Sequence, residues 1–172
     1  MGQVIAFPVQ PPYPDTAADL DRAECILLIA IRSWVECYRE GEDPIPTLCQ
    51  GLETAGAHDA AFSIDGLMTV VARSVSRTAD IHCPRCPHLS GDEKHLLHAA
   101  SLAQVDESKL AEKVLRTTLL SAQGAEFAIG PLKGLGELFR QAGLFLSRRR
   151  WSNWDRASGG SREIWTPPQS VH

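Results

Sequence analysis

A chain of 172 residues with 44% hydrophobic and 22% charged residues lies near the globular average, which excludes a disordered polypeptide and allows one core of ordinary size. The longest apolar run, Cys25 to Ile31, is too short to span a bilayer, so an integral helical membrane protein is excluded too. The net charge of −4 is uneven: residues 1–147 hold 12 Lys and Arg against 19 Asp and Glu, for −7, whereas residues 148–172 hold five Arg against two acids, for +3. An acidic body repels phosphate backbones and leaves only the tail as a nucleic-acid surface.

Residues 1–14 contain four of the eleven prolines, Pro8, Pro11, Pro12 and Pro14, which predicts an extended arm in which the run Val4 to Phe7 can lie on the core or add a strand. The same stretch lacks the basic and apolar regions of a secretory signal, and Ala6 stands where the myristoylation pattern needs Ser or Thr. A cytoplasmic location is therefore expected. Five cysteines are an odd number, and in a reducing compartment they point to thiols or metal ligands before disulfides.

From Asp15 to Glu40 the pattern predicts a central helix, capped by Asp15 or Thr16 and stopped by Gly41, with Leu20, Ala23, Leu27, Ala30, Ile31, Trp34, Val35 and Tyr38 at helical spacing. After the loop "GEDPIP", Thr47 can cap a short helix that Gly56 ends. A longer helix is expected from about His58 to Thr78, with Ala61, Ile64, Met68, Val71, Ala72 and Val75 inward. Ser90 followed by Glu93 fits a capping box that starts a helix running to about Gln104. Asp106 or Ser108 opens the next, with Leu110, Ala111, Val114, Leu115, Thr118 and Leu119 as its stripe. Gly130–Pro131 marks a last start, before Leu132, Leu135, Leu138, Phe139, Ala142 and Phe145. Its glycines Gly134, Gly136 and Gly143 call for either close backbone approach or a break, since each lowers helicity by roughly 1 kcal/mol.

No long β-branched alternation occurs, so the expected fold is all-α: a single compact helical domain of about five or six helices over residues 15–147, an extended Pro-rich arm at 1–14 and a polar Arg/Trp-rich tail at 148–172.

Two of the five cysteines and four of the six histidines fall between His82 and His98. In "CPRCP", Cys83 and Cys86 have the two-residue spacing that lets both sulfurs turn toward one ion, and zinc favours such thiolate half-sites. If a helix begins at Ser90, His95 and His98 are about 60° apart around its axis and point the same way. Cys83, Cys86, His95 and His98 are thus the expected zinc ligands. His88 and His82 are the alternates, with His82 the weaker because it abuts Cys83, and Asp92 is a further option. Together they resemble a generic zinc knuckle plus helix.

The plainer alternative is a surface turn with free thiols and solvated histidines. Thioredoxin-like redox chemistry wants a strand before the CxxC and a helix starting at it, and here a helix precedes and Pro87 follows. Haem attachment needs CxxCH, and the deaminase order and HExxH are absent. Cys25, Cys37 and Cys49 lie among apolar neighbours and read as small core residues. A closed four-ligand site is structural, whereas a three-ligand site with Glu93 as base would be catalytic.

The segment "GPLKGLGELF" lacks the Lys-Ser/Thr of a P-loop and the third glycine of a dinucleotide fingerprint. In the tail, Arg148, Arg149, Arg150 and Arg156, interleaved with Trp151 and Trp154, can meet phosphates and bases or an acidic protein surface. The blander role is a helix end whose side chains fold back on the core. The expectation is a small soluble zinc-binding helical protein that acts as a protein-interaction or regulatory module. Its partner is expected to be another protein, with no membrane, and a homo-oligomer is compatible. A metalloenzyme with an open zinc site in the 82–98 segment and nucleic-acid binding through residues 148–156 are the alternatives.

Overall fold

The computed structural model describes residues 11–150. The arm before residue 11, with its Val4 to Phe7 run, and the tail after Arg150, with Trp151, Trp154 and Arg156, lie outside the described residues. Those described form six α-helices and no strand: α1 (Arg22–Glu40), α2 (Pro44–Glu53), α3 (Ala60–Ser74), α4 (Gly91–Gln104), α5 (Ser108–Thr118) and α6 (Ala122–Gln141). The all-α architecture expected from the sequence is the one found, and no helix among the described residues is long and apolar enough to cross a membrane.

Helix α1 begins later than its apolar pattern predicts. A 3-10 turn at Ala17–Asp19 precedes it, and the cap is a box made by Asp21 and Glu24 rather than Asp15 or Thr16. Such a box satisfies orphan N–H groups at the helix start reciprocally. Gly41 ends α1 in the left-handed conformation, φ 75°, where a residue with a Cβ is strained. Helix α2 starts at Pro44, ahead of Thr47, because the Asp43 side chain accepts a hydrogen bond from the Ile45 N–H and proline suits the first turn. Helix α3 stops at Ser74, short of Thr78. Val75 is extended and bridges Leu120, and the Ser76 N–H donates to the Leu119 carbonyl at 3.0 Å.

The largest departure is α6, which starts at Ala122 and runs through Pro131 instead of beginning there. The Ser121 side chain accepts from the Gly124 N–H and caps the new start. An interior proline forfeits one backbone hydrogen bond, but this one lies on the seam with α3, where its ring faces Gly66: a Cβ added at Gly66 would lie 3.5 Å from Pro131 Cγ. Packing along the whole of α3 carries the helix past the proline.

Close approach, not a break, explains two of the α6 glycines: a Cβ at Gly134 would stand 2.9 Å from Ser63 Oγ, and one at Gly136 would stand 2.8 Å from the Gln104 backbone Cα. Gly136→Ala is therefore expected to lower stability by about 1–3 kcal/mol, the usual cost of overpacking against an unyielding neighbour, measurable as a shifted urea midpoint.

Helix α6 packs on α3, α4 and α5, and α1 packs on α2, α3 and α4. The core they share includes Leu27, Ile31, Ile64, Leu67, Leu96, Leu132, Leu135 and Phe139, each fully buried. The inward stripe of α1 is buried as its spacing predicts through Trp34, while Tyr38 is exposed and stacks on the Trp34 ring at 4.9 Å. This frame leaves residues 75–90, between α3 and α4, to cross the surface beside α1.

Candidate metal centre

Residues 75–90 are kept from regular structure by Pro84 and Pro87, so their backbone groups need partners from elsewhere. Helices α1 and α4 supply them. Arg32 of α1 and Glu93 of α4 are 2% and 0% exposed and form an ion pair at 2.7 Å. The Glu93 carboxylate accepts from Arg32 Nε at 2.7 Å, Arg32 Nη2 at 2.9 Å, the His82 N–H at 3.0 Å and the Ser90 N–H at 2.9 Å. Arg32 in turn donates to the Cys86 and His88 carbonyls, both at 2.6 Å. Hydrogen bonding to Glu93, partly opposed by burial and helped by Cys86 and Cys83, raises the Arg32 pKa further above its ordinary value. The pair is thus satisfied on nearly every donor and acceptor, the condition under which a buried salt bridge is tolerated.

On the other side, Ala17 donates its N–H to the Pro87 carbonyl at 2.7 Å and Leu89 donates to the Asp15 carbonyl at 2.9 Å. The Ser90–Glu93 capping box forms as the sequence predicts. All four hydrogen bonds that the Glu93 carboxylate accepts come from Arg32 and the backbone of the turn and cap.

Asp92 is the second buried carboxylate. It accepts from both terminal nitrogens of Arg77 and from the Asp80 N–H at 2.7 Å, with His95 Nδ1 3.6 Å away. Burial alone would raise its pKa, but His95, Arg77 and the Asp80 N–H outweigh that and hold it well below the usual carboxylate range. A depressed carboxylate stabilises the fold above its unfolded pKa of about 3.9 and loses that contribution as pH falls toward its folded value. Asp92→Asn is accordingly expected to cost stability at pH 7 and to narrow its gap to the parent below about pH 4, as urea titrations at both pH values would report.

The donors divide into two groups. In the turn, the Cys86 N–H donates to the Cys83 carbonyl at 3.1 Å, Cys83 is exposed and Cys86 half-buried. Cys86 Sγ lies 3.5 Å from His82 Nδ1. His82 Nδ1 also contacts the His88 carbonyl at 2.9 Å, and since a carbonyl only accepts, that contact places the ring proton on Nδ1. The His88 ring is exposed.

On α4, His95 sits by Asp92, and His98 meets the Tyr13 ring edge-on at 6.0 Å. Burial, with His95 and Arg148 adding to it, pushes the His98 pKa below the ordinary imidazole range. His82, the weaker alternate by sequence, is therefore the histidine that the structure brings to Cys86, whereas His95 lies by Asp92 and His98 by Tyr13. Among the described residues, no group of three or more His, Cys, Asp or Glu side chains is arranged to hold a metal ion.

No motif marks Arg32, although it has a sequence signal: a lone charge set among the mostly apolar residues between Cys25 and Val35. Among the described residues, two of the tail arginines, Arg148 and Arg149, are paired. Arg148 donates to both Glu107 oxygens at 2.9 and 3.0 Å. Arg149 is buried and donates to both Glu24 oxygens at 2.7 Å, with its guanidinium 5.7 Å from the Tyr13 ring centroid. The Arg150 N–H donates to the Pro11 carbonyl at 2.9 Å and its side chain is exposed. Comparison with protein-family models, with curated proteins and with solved structures gave no match to this chain.

Proposed function

We propose that this is a small zinc-binding helical protein of the cytoplasm that acts as an interaction or regulatory module, with the ion held on the turn that carries His82, Cys83 and Cys86. One observation carries the reading. In a tetrahedral site with Zn–S of about 2.3 Å and Zn–N of about 2.0 Å, sulfur and nitrogen stand about 3.5 Å apart, and Cys86 Sγ and His82 Nδ1 stand 3.5 Å apart on a backbone anchored by Arg32 and Glu93.

Binding through Nδ1 exchanges its proton, and the hydrogen bond to the His88 carbonyl, for the metal. Cys83 is exposed, so its side chain turns to join without disturbing the core, and His88 or a donor from a partner protein completes the shell. His95 and His98 remain the ligands to test against these. A catalytic role has less support, since Glu93, the base the sequence offers, already accepts four hydrogen bonds, and nucleic-acid binding would fall to Arg150 and the residues after it.

Cobalt(II) titration of reduced protein tests the reading. Thiolate-to-cobalt charge-transfer and tetrahedral d–d bands are expected to saturate at one equivalent, to be lost in Cys86→Ser and weakened in His82→Ala, and to persist in His95→Ala. Because ligands must shed protons, affinity should fall as pH drops below neutral. Bands unchanged in Cys86→Ser would refute it.

A further inference from the structure

We propose that Cys83 and Cys86 form a reversible dithiol–disulfide couple that exchanges with low-molecular-weight disulfides of the glutathione class, Cys83 attacking and Cys86 resolving. This goes beyond the zinc reading: it uses the same sulfurs and needs no cation.

The Cys86 N–H to Cys83 carbonyl bond of 3.1 Å closes a turn whose ends lie within about 7 Å, and a disulfide spans Cα separations of about 4.4–6.8 Å. The ends of the turn are thus near disulfide reach, and the exposed Cys83 side chain is free to turn toward Cys86. The turn is also held by contacts that oxidation leaves alone, from Arg32 to the Cys86 and His88 carbonyls and from the His82 N–H to Glu93.

Access separates the roles. Cys83 is exposed and lines an open cleft with Glu36, Arg39 and Glu40, where Arg39 can meet a carboxylate of a peptide thiol and a glutamate its ammonium. Cys86 is half-buried against the His82 ring. The remaining cysteines are poorer reactants. Cys37 is buried, Cys49 is half-buried, and the Cys25 thiol donates to the Ala17 carbonyl at 3.4 Å, its pKa pushed up by burial and by Glu24.

In the exchange, the Cys83 thiolate attacks one sulfur of the small disulfide, forming a mixed disulfide and expelling one thiolate. Cys86 releases its proton and attacks Cys83 Sγ, expelling the second. The protein loses two protons and two electrons, and the small disulfide becomes two thiols.

The test equilibrates metal-free, reduced protein with set ratios of oxidised and reduced glutathione, blocks remaining thiols with a maleimide and reads tryptic peptides by mass spectrometry. Arg85 lies between the cysteines, so trypsin parts residues 78–85 from 86–94 unless a disulfide joins them. The joined pair is expected at oxidising ratios and should revert with excess reduced glutathione. In Cys86→Ser, shown to be folded by circular dichroism, Cys83 should retain glutathione.

Peptides that stay separate and blockable in excess oxidised glutathione, or modification of Cys25, Cys37 or Cys49 ahead of Cys83, would overturn the proposal. A zinc-preloaded sample separates the two readings: suppressed joining supports zinc on these sulfurs, and unchanged joining counts against the zinc reading alone.

Discussion

Glu93→Ala is expected to lower stability by about 3–5 kcal/mol, the range for removing one partner of a buried ion pair. The change leaves the Arg32 guanidinium, 2% exposed, without its counter-charge. It also strips acceptors from the His82 and Ser90 N–H groups and breaks the α4 capping box. Because Arg32 also holds the Cys86 and His88 carbonyls, the turn should loosen along with the fold. Urea unfolding would report the first effect, and faster trypsin cleavage after Arg85, under conditions where the protein stays folded, the second. A loss below about 1 kcal/mol, the scale of an exposed pair, would show that Arg32 and Glu93 do not meet in a dry interior.

Glu24→Ala is the second large effect, expected at about 3 kcal/mol on the same grounds. Glu24 is 1% exposed and binds Arg149 through two bonds of 2.7 Å while accepting from the Asp21 N–H at 3.0 Å. Loss of the carboxylate releases residues 148–150 from the start of α1, where Arg149 also approaches Asp21 at 3.6 Å, and that remaining contact makes the cost smaller than at Glu93. Urea unfolding gives the magnitude. Hydrogen exchange at the Arg150 amide, bonded to the Pro11 carbonyl at 2.9 Å, should quicken well beyond the change seen in the core.

These two pairs are not encoded in any local sequence pattern. Local signals were legible: the Ser90–Glu93 box, the Gly41 stop and the apolar spacing of α1 and α3 each depend on residues a few positions apart. Pairs such as Arg32 with Glu93, 61 positions apart, or Glu24 with Arg149, 125 apart, leave no such trace, because fold geometry alone selects the partner. Gly130–Pro131 misled for the opposite reason. Its local preference is to break or begin a helix, yet burial of the α6 stripe against α3 outweighs one missing hydrogen bond.

The proposed zinc ligands show both effects. The Cys83–Cys86 spacing was legible as a half-site. His95 and His98 share one side of α4 as their spacing requires, but spacing does not say what that side meets, and here His95 meets Asp92 and His98 meets Tyr13. His82 adjoins Cys83 in sequence, which disfavours both as ligands of one ion, yet the turn carries its ring back to Cys86.

Elemental analysis of protein purified gently with its thiols protected tests the central claim most directly. One equivalent of zinc per chain is expected, falling to background in Cys83→Ser and Cys86→Ser variants that remain folded. Folded parent protein that neither carries zinc nor takes it up stoichiometrically when supplied would contradict the account.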